Sequence, residues 1–423
     1  MTVSDTIYLT DLELTRFFMA IFLLLTFAHI CGYFFTLLRM PSVIGEIFGG
    51  FLLGPTVFGH FLPDLQNWVF NAFVAEGKLI SIVYWFGLIL LMFISGFEIQ
   101  NYLNQKNNKL VFGLTIGSTI IPFIAGWFLP ICFDLTPYVG DKHSLLALQL
   151  IIAIATAVTS IPVISKIFIE LNIVSTPFAN VVLAAATIHD LVVWIALAIA
   201  GDLVAARTIN LSEIVLKLVI TIAFFIVFLK IIPRAIMFLN GSKWNVVARS
   251  SIVGYVMAVC LFLVAIASML GVNLVFGALL AGIVVGMAKE PEFINVKKHI
   301  REFSLAFFVP LYFAIVGLKL NLIRDFDPLF LGWFLLYMTF FQMAGCLVAT
   351  RMLRVDWFSS VNLGIAMSTK GGPLIVLATV ALDLGIVSSS FSASLILIAI
   401  ITSAFAGAWF RYIIKNDLRL LKV

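Results

Sequence analysis

Thr159-Ser160-Ile161-Pro162 and Thr369-Lys370-Gly371-Gly372-Pro373 interrupt two hydrophobic segments roughly half the chain apart, and these interruptions decide the fold. A proline inside a helix lacks the N–H that the carbonyl four residues earlier would receive. The carbonyls freed here belong to Val158 and Thr369. Hydrocarbon cannot satisfy them, so breaks of this kind persist where they line a cavity or bind an ion. Matching interruptions in two halves of a chain are a sequence pointer to a transporter's binding site.

The rest of the chain supports a membrane setting. Of its 423 residues, 62% are hydrophobic and 11% charged, whereas a soluble domain carries about 25% charged residues. This excludes a soluble enzyme. Thirteen apolar segments fall near 14–38, 43–61, 80–97, 110–133, 145–168, 178–205, 213–239, 248–270, 272–287, 302–318, 328–350, 358–382 and 390–414. Most have the length of about 17–25 residues that spans a bilayer. The expected fold is an all-α polytopic membrane protein of about 13 transmembrane helices. It would consist of one extra N-terminal helix and two six-helix halves, each with a broken helix near the midplane.

No cleavable signal peptide is expected, because the apolar run after the acidic start (Asp5, Asp11, Glu13) is too long for a signal core. The longest polar connection runs from Lys289 to Glu302, so no soluble regulatory domain is expected. Nothing fits G-x-x-x-x-G-K-[ST], which favours ion gradients over ATP as the energy source. Cys31, Cys132, Cys260 and Cys346 lie in apolar segments without metal-ligand spacing and read as packing residues. No cofactor is implied, and the net charge of +5 does not imply nucleic acid.

Alternate loops divide the basic residues unevenly. Eighteen Lys and Arg fall on one side and seven on the other, with Lys370 inside the membrane. The positive-inside rule then places the amino terminus outside and the carboxyl terminus in the cytoplasm.

Asp190 stands at the centre of the apolar segment that begins at Phe178. A carboxylate at bilayer depth costs about 2.5–3.5 kcal/mol on insertion scales, so it faces a cavity or a partner. Burial favours its protonated form and a bound cation its charged form. One group can then hold either a proton or a metal cation; the bland alternative is a neutral Asp that helps helices pack. His189 precedes it, and three readings stay open: a second proton carrier, a pH sensor, or a neutral hydrogen-bond donor.

The hydroxyls of Thr159 and Ser160 are hard oxygen ligands suited to Na⁺ or K⁺, or else they satisfy the proline break locally. Lys370, in the matching break, either compensates the carbonyl end of a half-helix or repels a cation from the empty site. Glu46 lies among Gly45, Gly49, Gly50 and Gly54, a pattern that allows close helix packing. It is either an entrance charge for cations or an interfacial residue. His29 reads as a satisfied packing histidine.

These residues resemble the monovalent cation:proton antiporter superfamily, particularly the branch with plant cation/H⁺ exchangers and bacterial Na⁺/H⁺ and K⁺/H⁺ antiporters. The likeness runs through PSVIGEIFGGFLLGP (41–55), LILLMFISGFEI (88–99), TSIPVISKIFIELNI (159–173) and AAATIHDLVVWIALA (184–198). It continues through FGALLAGIVVG (276–286), FFVPLYFAIVGLKLN (307–321) and MSTKGGPLIVLATVALDLGIVS (367–388). The resemblance implies inverted repeats with crossed broken helices, a homodimer, and an elevator-like core. That core would take in helices about 80–205 and 302–318 with 328–414, against a dimerisation scaffold of about 14–61 and 213–287.

Two positions depart from the family pattern. His189 stands where Asn or Asp usually precedes the ion-binding Asp. Gln342 stands near a position where many members carry lysine. The resemblance then favours electroneutral exchange.

The reading that results is a secondary antiporter of Na⁺ or K⁺ against H⁺ in a bacterial inner membrane. Asp190, Thr159 and Ser160 would form its site, supported by His189, Lys370, Gln342, Glu46, Pro162 and Pro373. The rivals are a transport-inactive sensor or scaffold with the same fold, and a K⁺ efflux pathway.

Overall fold

The structure is a computed structural model, and it describes residues 9–422 except 39, 72, 74, 103–107, 188, 190–229, 235–244, 271–273 and 288–290. Among the described residues it is all-helical, apart from one isolated β-bridge between Val139 and Val387. The principal helices are α1 (Asp11–Leu37), α2 (Ser42–Leu53), α3 (Glu76–Tyr102), α4 (Asn108–Cys132), α5 (Leu145–Ala157), α6 (Ile161–Glu170) and α7 (Pro177–Thr187). They continue with α8 (Ile252–Met269), α9 (Leu274–Gly286), α10 (Pro291–Ala306) and α11 (Phe308–Lys319). The last four are α12 (Pro328–Met352), α13 (Trp357–Met367), α14 (Gly371–Asp383) and α15 (Ser389–Lys415).

Nine candidate spans among the described residues are long and apolar enough to cross a membrane. Two of them are composite: Phe293–Lys319 joins most of α10 to α11, and Trp357–Asp383 joins α13 to α14. The segments expected at 178–205 and 213–239 lie largely outside the described residues.

The polar connection from Lys289 to Glu302 is helical from Pro291 onward. Proline suits the first helical position, and Phe293, Val296, Ile300 and Ser304 bury one face at helical spacing. Lys298, His299, Arg301 and Glu302 occupy the exposed side of that helix.

The chain divides into two compact units. The first takes in residues 1–91 and 301–325. Here α1 packs on α2, and α2 on α11. A Cβ at Gly50 would run into the Ala314 carbonyl, and one at Gly317 into that of Ile47, so α2 and α11 meet backbone to backbone. The small-residue pattern around Glu46 is therefore a packing surface. Pro310 in α11 frees the Ala306 carbonyl, and His29 Nε2 on α1 donates to that oxygen at 2.8 Å. His29 is thus a satisfied structural donor, although its ring is exposed.

The second unit takes in residues 92–300 and 326–423. In it α4 packs against α5 and α12, α12 against α13, and α14 against α15. Its core gathers Ile164 and Phe168 of α6, Phe178 and Val182 of α7, Leu363 of α13 and Phe410 of α15. Both interrupted segments lie here.

Candidate functional site

The first interruption separates α5 from α6. Val158 closes α5 in an extended conformation (φ −63°, ψ 145°) and Ser160 opens α6 (φ −105°, ψ 108°). Ser160 Oγ accepts from the Val163 amide at 3.4 Å, an N-cap that ends the break locally. Pro162 sits in the first turn of α6, where its missing N–H costs little. The second interruption separates α13 from α14. Gly371 there takes φ +46°, and a Cβ at that residue would lie 2.5 Å from Ser160 Oγ and from Val163 Cγ2. Only glycine lets the two breaks come this close.

The breaks satisfy each other. Ser160 N donates to the Thr369 carbonyl at 2.7 Å. Thr159 Oγ1 donates to the Met367 carbonyl at 2.6 Å. In return Lys370 Nζ donates to the Val158 carbonyl at 2.9 Å and to that of Thr156 at 2.6 Å. Both carbonyls freed by the prolines at 162 and 373 are therefore met by the opposite break. The Lys370 ammonium sits at the carbonyl end of α5, where a positive charge gains up to about 2 kcal/mol in favourable buried geometry. Lys370 is fully buried, and its amide donates to Thr402 Oγ1 on α15 at 3.3 Å.

Gln342 on α12 completes this cluster. Its Oε1 accepts from Lys370 Nζ at 3.3 Å and its Nε2 donates to the Ser118 carbonyl at 3.0 Å. A lysine only donates and a carbonyl only accepts, which fixes the orientation of the amide. Pro122 in α4 frees that same Ser118 carbonyl. The uncharged sequence around Gln342 thus does not leave the place without charge, because Lys370 brings an ammonium to it from the second break.

His189 faces α4 and the first break. Its Nε2 lies 2.8 Å from Ser118 Oγ, 2.8 Å from Thr119 Oγ1 and 3.4 Å from the Thr115 carbonyl. Ser118 and Thr119 already give their hydroxyl protons to the carbonyls of Leu114 and Thr115, at 2.5 and 2.6 Å. Nε2 is therefore the donor, which assigns the ring's tautomer on that side. Nδ1 faces Thr159 Oγ1 at 3.4 Å. The ring is 1% exposed.

The geometry thus brings Thr159, Ser160, His189, Gln342, Lys370 and Pro373 into one buried region. Asp190 follows His189 directly in sequence but lies outside the described residues. Glu46 belongs to the first unit, where its side chain lies over Gly32 of α1. Ser118, Thr119, Thr156 and Thr402 were not anticipated. Pro122 offered a signal for Ser118, since it marks the same kind of freed carbonyl as the two breaks.

Away from the crossing, a backbone ribbon ties the far ends of α5 and α14. Gly140 N donates to the Ile386 carbonyl at 2.9 Å, Lys142 N to that of Gly385 at 3.0 Å, and Ser388 N to that of Tyr138 at 2.9 Å. The C-terminal residues fold back on α13: Lys422 N donates to Ser359 Oγ at 2.8 Å and Asn362 Nδ2 to the Leu420 carbonyl at 3.1 Å.

Comparison with known proteins agrees with this architecture. A family model described as "Sodium/hydrogen exchanger, transmembrane" matches residues 23–416. The K⁺/H⁺ antiporter 1 of Saccharomyces cerevisiae is 29% identical over 412 residues, covering 94% of this chain and 46% of the yeast protein. The Na⁺/H⁺-K⁺ antiporter GerN of Bacillus cereus is 24% identical over 402 residues, covering 94% and 96%. The chain therefore spans about half the length of the yeast relative and nearly all of the Bacillus one. The solved structure of the sodium proton antiporter MjNhaP1 from Methanocaldococcus jannaschii superposes with a TM-score of 0.65 at 13% identity. That match covers 95% of this chain and 98% of the archaeal one, and it shows a shared fold.

Proposed function

The chain belongs to the sodium/hydrogen exchanger family of transmembrane proteins, and on that premise we propose that it is a secondary antiporter exchanging Na⁺ or K⁺ for H⁺ by alternating access. Asp190 is the shared carrier in this reading. Protonated, it is neutral and holds no cation; ionised, it binds one, so each ligand excludes the other. Thr159 and Ser160 supply oxygens beside it. His189, Gln342 and Lys370 hold the surrounding helices in place, and the prolines at 162 and 373 keep the breaks open. One charge moves either way, which makes the exchange electroneutral.

The observation that supports this reading most is the mutual satisfaction of the two breaks. It gathers helix ends, hydroxyls and an ammonium into one buried region around His189, the residue that precedes Asp190 in sequence. Relatives named as K⁺/H⁺ and Na⁺/H⁺ antiporters support the choice of these ions. The protein would work as a homodimer in a bacterial inner membrane with its carboxyl terminus in the cytoplasm.

The test is cation-induced proton movement in proteoliposomes, comparing the parent with Asp190→Asn across Na⁺, K⁺ and Li⁺. Exchange that disappears in the variant supports the assignment, and the ion series names the substrate. A folded parent that exchanges none of the three would be a sensor or scaffold instead.

A further inference from the structure

Three neutral oxygens surround the Lys370 ammonium: the carbonyls of Thr156 and Val158 and Oε1 of Gln342, at 2.6, 2.9 and 3.3 Å. All four residues are fully buried. Two of the oxygens close the end of α5 and the third comes from α12. Cages of this kind, carbonyl and amide oxygens in a dry site, are what proteins use to replace the hydration shell of a monovalent cation. None of the three ligands is a carboxylate, the donor type that calcium sites rely on. An ammonium matches K⁺ in charge and closely in its preferred distance to oxygen.

The chain also shows how the ammonium is delivered. Gly371 turns at φ +46° where a side chain would collide with Ser160, and Thr402 holds the Lys370 amide from α15. The backbone is thereby bent so that the side chain reaches across the break into the cage.

We infer that this cage is a second monovalent-cation position, separate from Asp190, which the protein keeps filled with a tethered ammonium. Lysine occupies it as a covalently attached substitute for K⁺ or NH₄⁺. Emptying the position while keeping the lysine's stem volume, as in Lys370→Met, should open it to a free cation of matching size. A lysine that merely opposed the α5 dipole would leave no such size-selective vacancy.

The experiment is thermal melting of purified full-length Asp190→Asn/Lys370→Met beside Asp190→Asn alone. Ammonium, potassium and tetramethylammonium chlorides are compared at constant ionic strength. Removing Asp190 from both proteins keeps the transport centre out of the result, so this test and the antiport test fail independently. The double variant should gain at least about 2 °C, saturably, in ammonium and potassium and nothing in tetramethylammonium. The single variant should melt alike in all three salts.

No gain in the double variant, an equal gain in all three salts, or the same gain in the single variant overturns the inference. Asp190→Asn/Lys370→Ala, with more room at the position, is measured in parallel. Recovery of either double variant as monodisperse protein in ammonium but not in tetramethylammonium supports the inference. Failure of both in every salt overturns it.

Discussion

The Ser160 amide donates to the Thr369 carbonyl at 2.7 Å, so a backbone hydrogen bond joins the two broken helices. Thr369 is the carbonyl that Pro373 leaves without an intrahelical donor, and Val158, its counterpart in the first break, receives Lys370. Neither break is complete by itself. A change at one should therefore be felt at the other.

Pro373→Ala restores an N–H that competes with Ser160 for the Thr369 carbonyl. Pro373 stands in the first turn of α14, where proline is tolerated, so the substitution costs α14 nothing locally while the link to the first break weakens. The variant should melt no lower than the parent, yet exchange at least about tenfold more slowly, equivalent to ~1.4 kcal/mol on the barrier. Parallel melts and proteoliposome rates on one preparation decide this; unchanged exchange would mean the break is dispensable.

Gly371→Ala does the opposite. A left-handed conformation costs a non-glycine residue about 1–2 kcal/mol, and the added methyl meets Ser160 and Val163, with overpacking worth about 1–3 kcal/mol more. The melting temperature should fall by several degrees. A variant as stable as the parent would show that the two breaks are less closely apposed than described.

Gln342→Leu fills the space but leaves the Ser118 carbonyl without the Nε2 donor and Lys370 with one acceptor fewer. An unsatisfied buried polar group costs about 1–3 kcal/mol. Gln342→Glu keeps an oxygen toward Lys370 but cannot donate to Ser118 when ionised. Both should lower the melting temperature, the leucine variant more. Denaturation in detergent measures the order, and a leucine variant at least as stable as the parent would refute the role given to the amide.

Asp356 caps α13, accepting from Ser359 Oγ at 2.6 Å and Ser359 N at 3.1 Å. The Ser359 hydroxyl, and after it the amide, hold this carboxyl below the usual carboxylate range. A depressed folded-state value means stability that is present above the unfolded value, near ~3.9, and lost as pH falls through the folded one. Asp356→Ala should cost about 1 kcal/mol at neutral pH. The gap from the parent should shrink as the pH drops below about 4. Paired melts at neutral and acid pH test it; a gap independent of pH would rule out the ionised cap.

The breaks were legible because the effect of a proline is local: its position names the carbonyl it frees. What meets that carbonyl is tertiary, and no spacing along the chain announces that Lys370 reaches Val158 or that Gln342 bridges to Ser118. Pro122 carried the same information as the prolines at 162 and 373, but α4 runs on unbroken through it, with no charge beside it to mark it. The helical form of the stretch after Lys289 was not legible for a different reason. Its charges outnumber its apolar residues, and the buried stripe of Phe293, Val296 and Ile300 shows only when counted at helical spacing. The Asp190 segment was read from depth and charge alone.

The proline-freed carbonyls also constrain how the chain is assembled. Ala306 depends on His29, 277 residues away, Ser118 on Gln342, 224 residues away, and Val158 on Lys370, 212 residues away. A chain entering the bilayer from its amino terminus thus carries α4 and α5 with open acceptors until α12 and the second break arrive. Early insertion intermediates must keep those oxygens wet or shielded. The carboxyl-terminal third of the sequence supplies the donors that finally close α4 and α5.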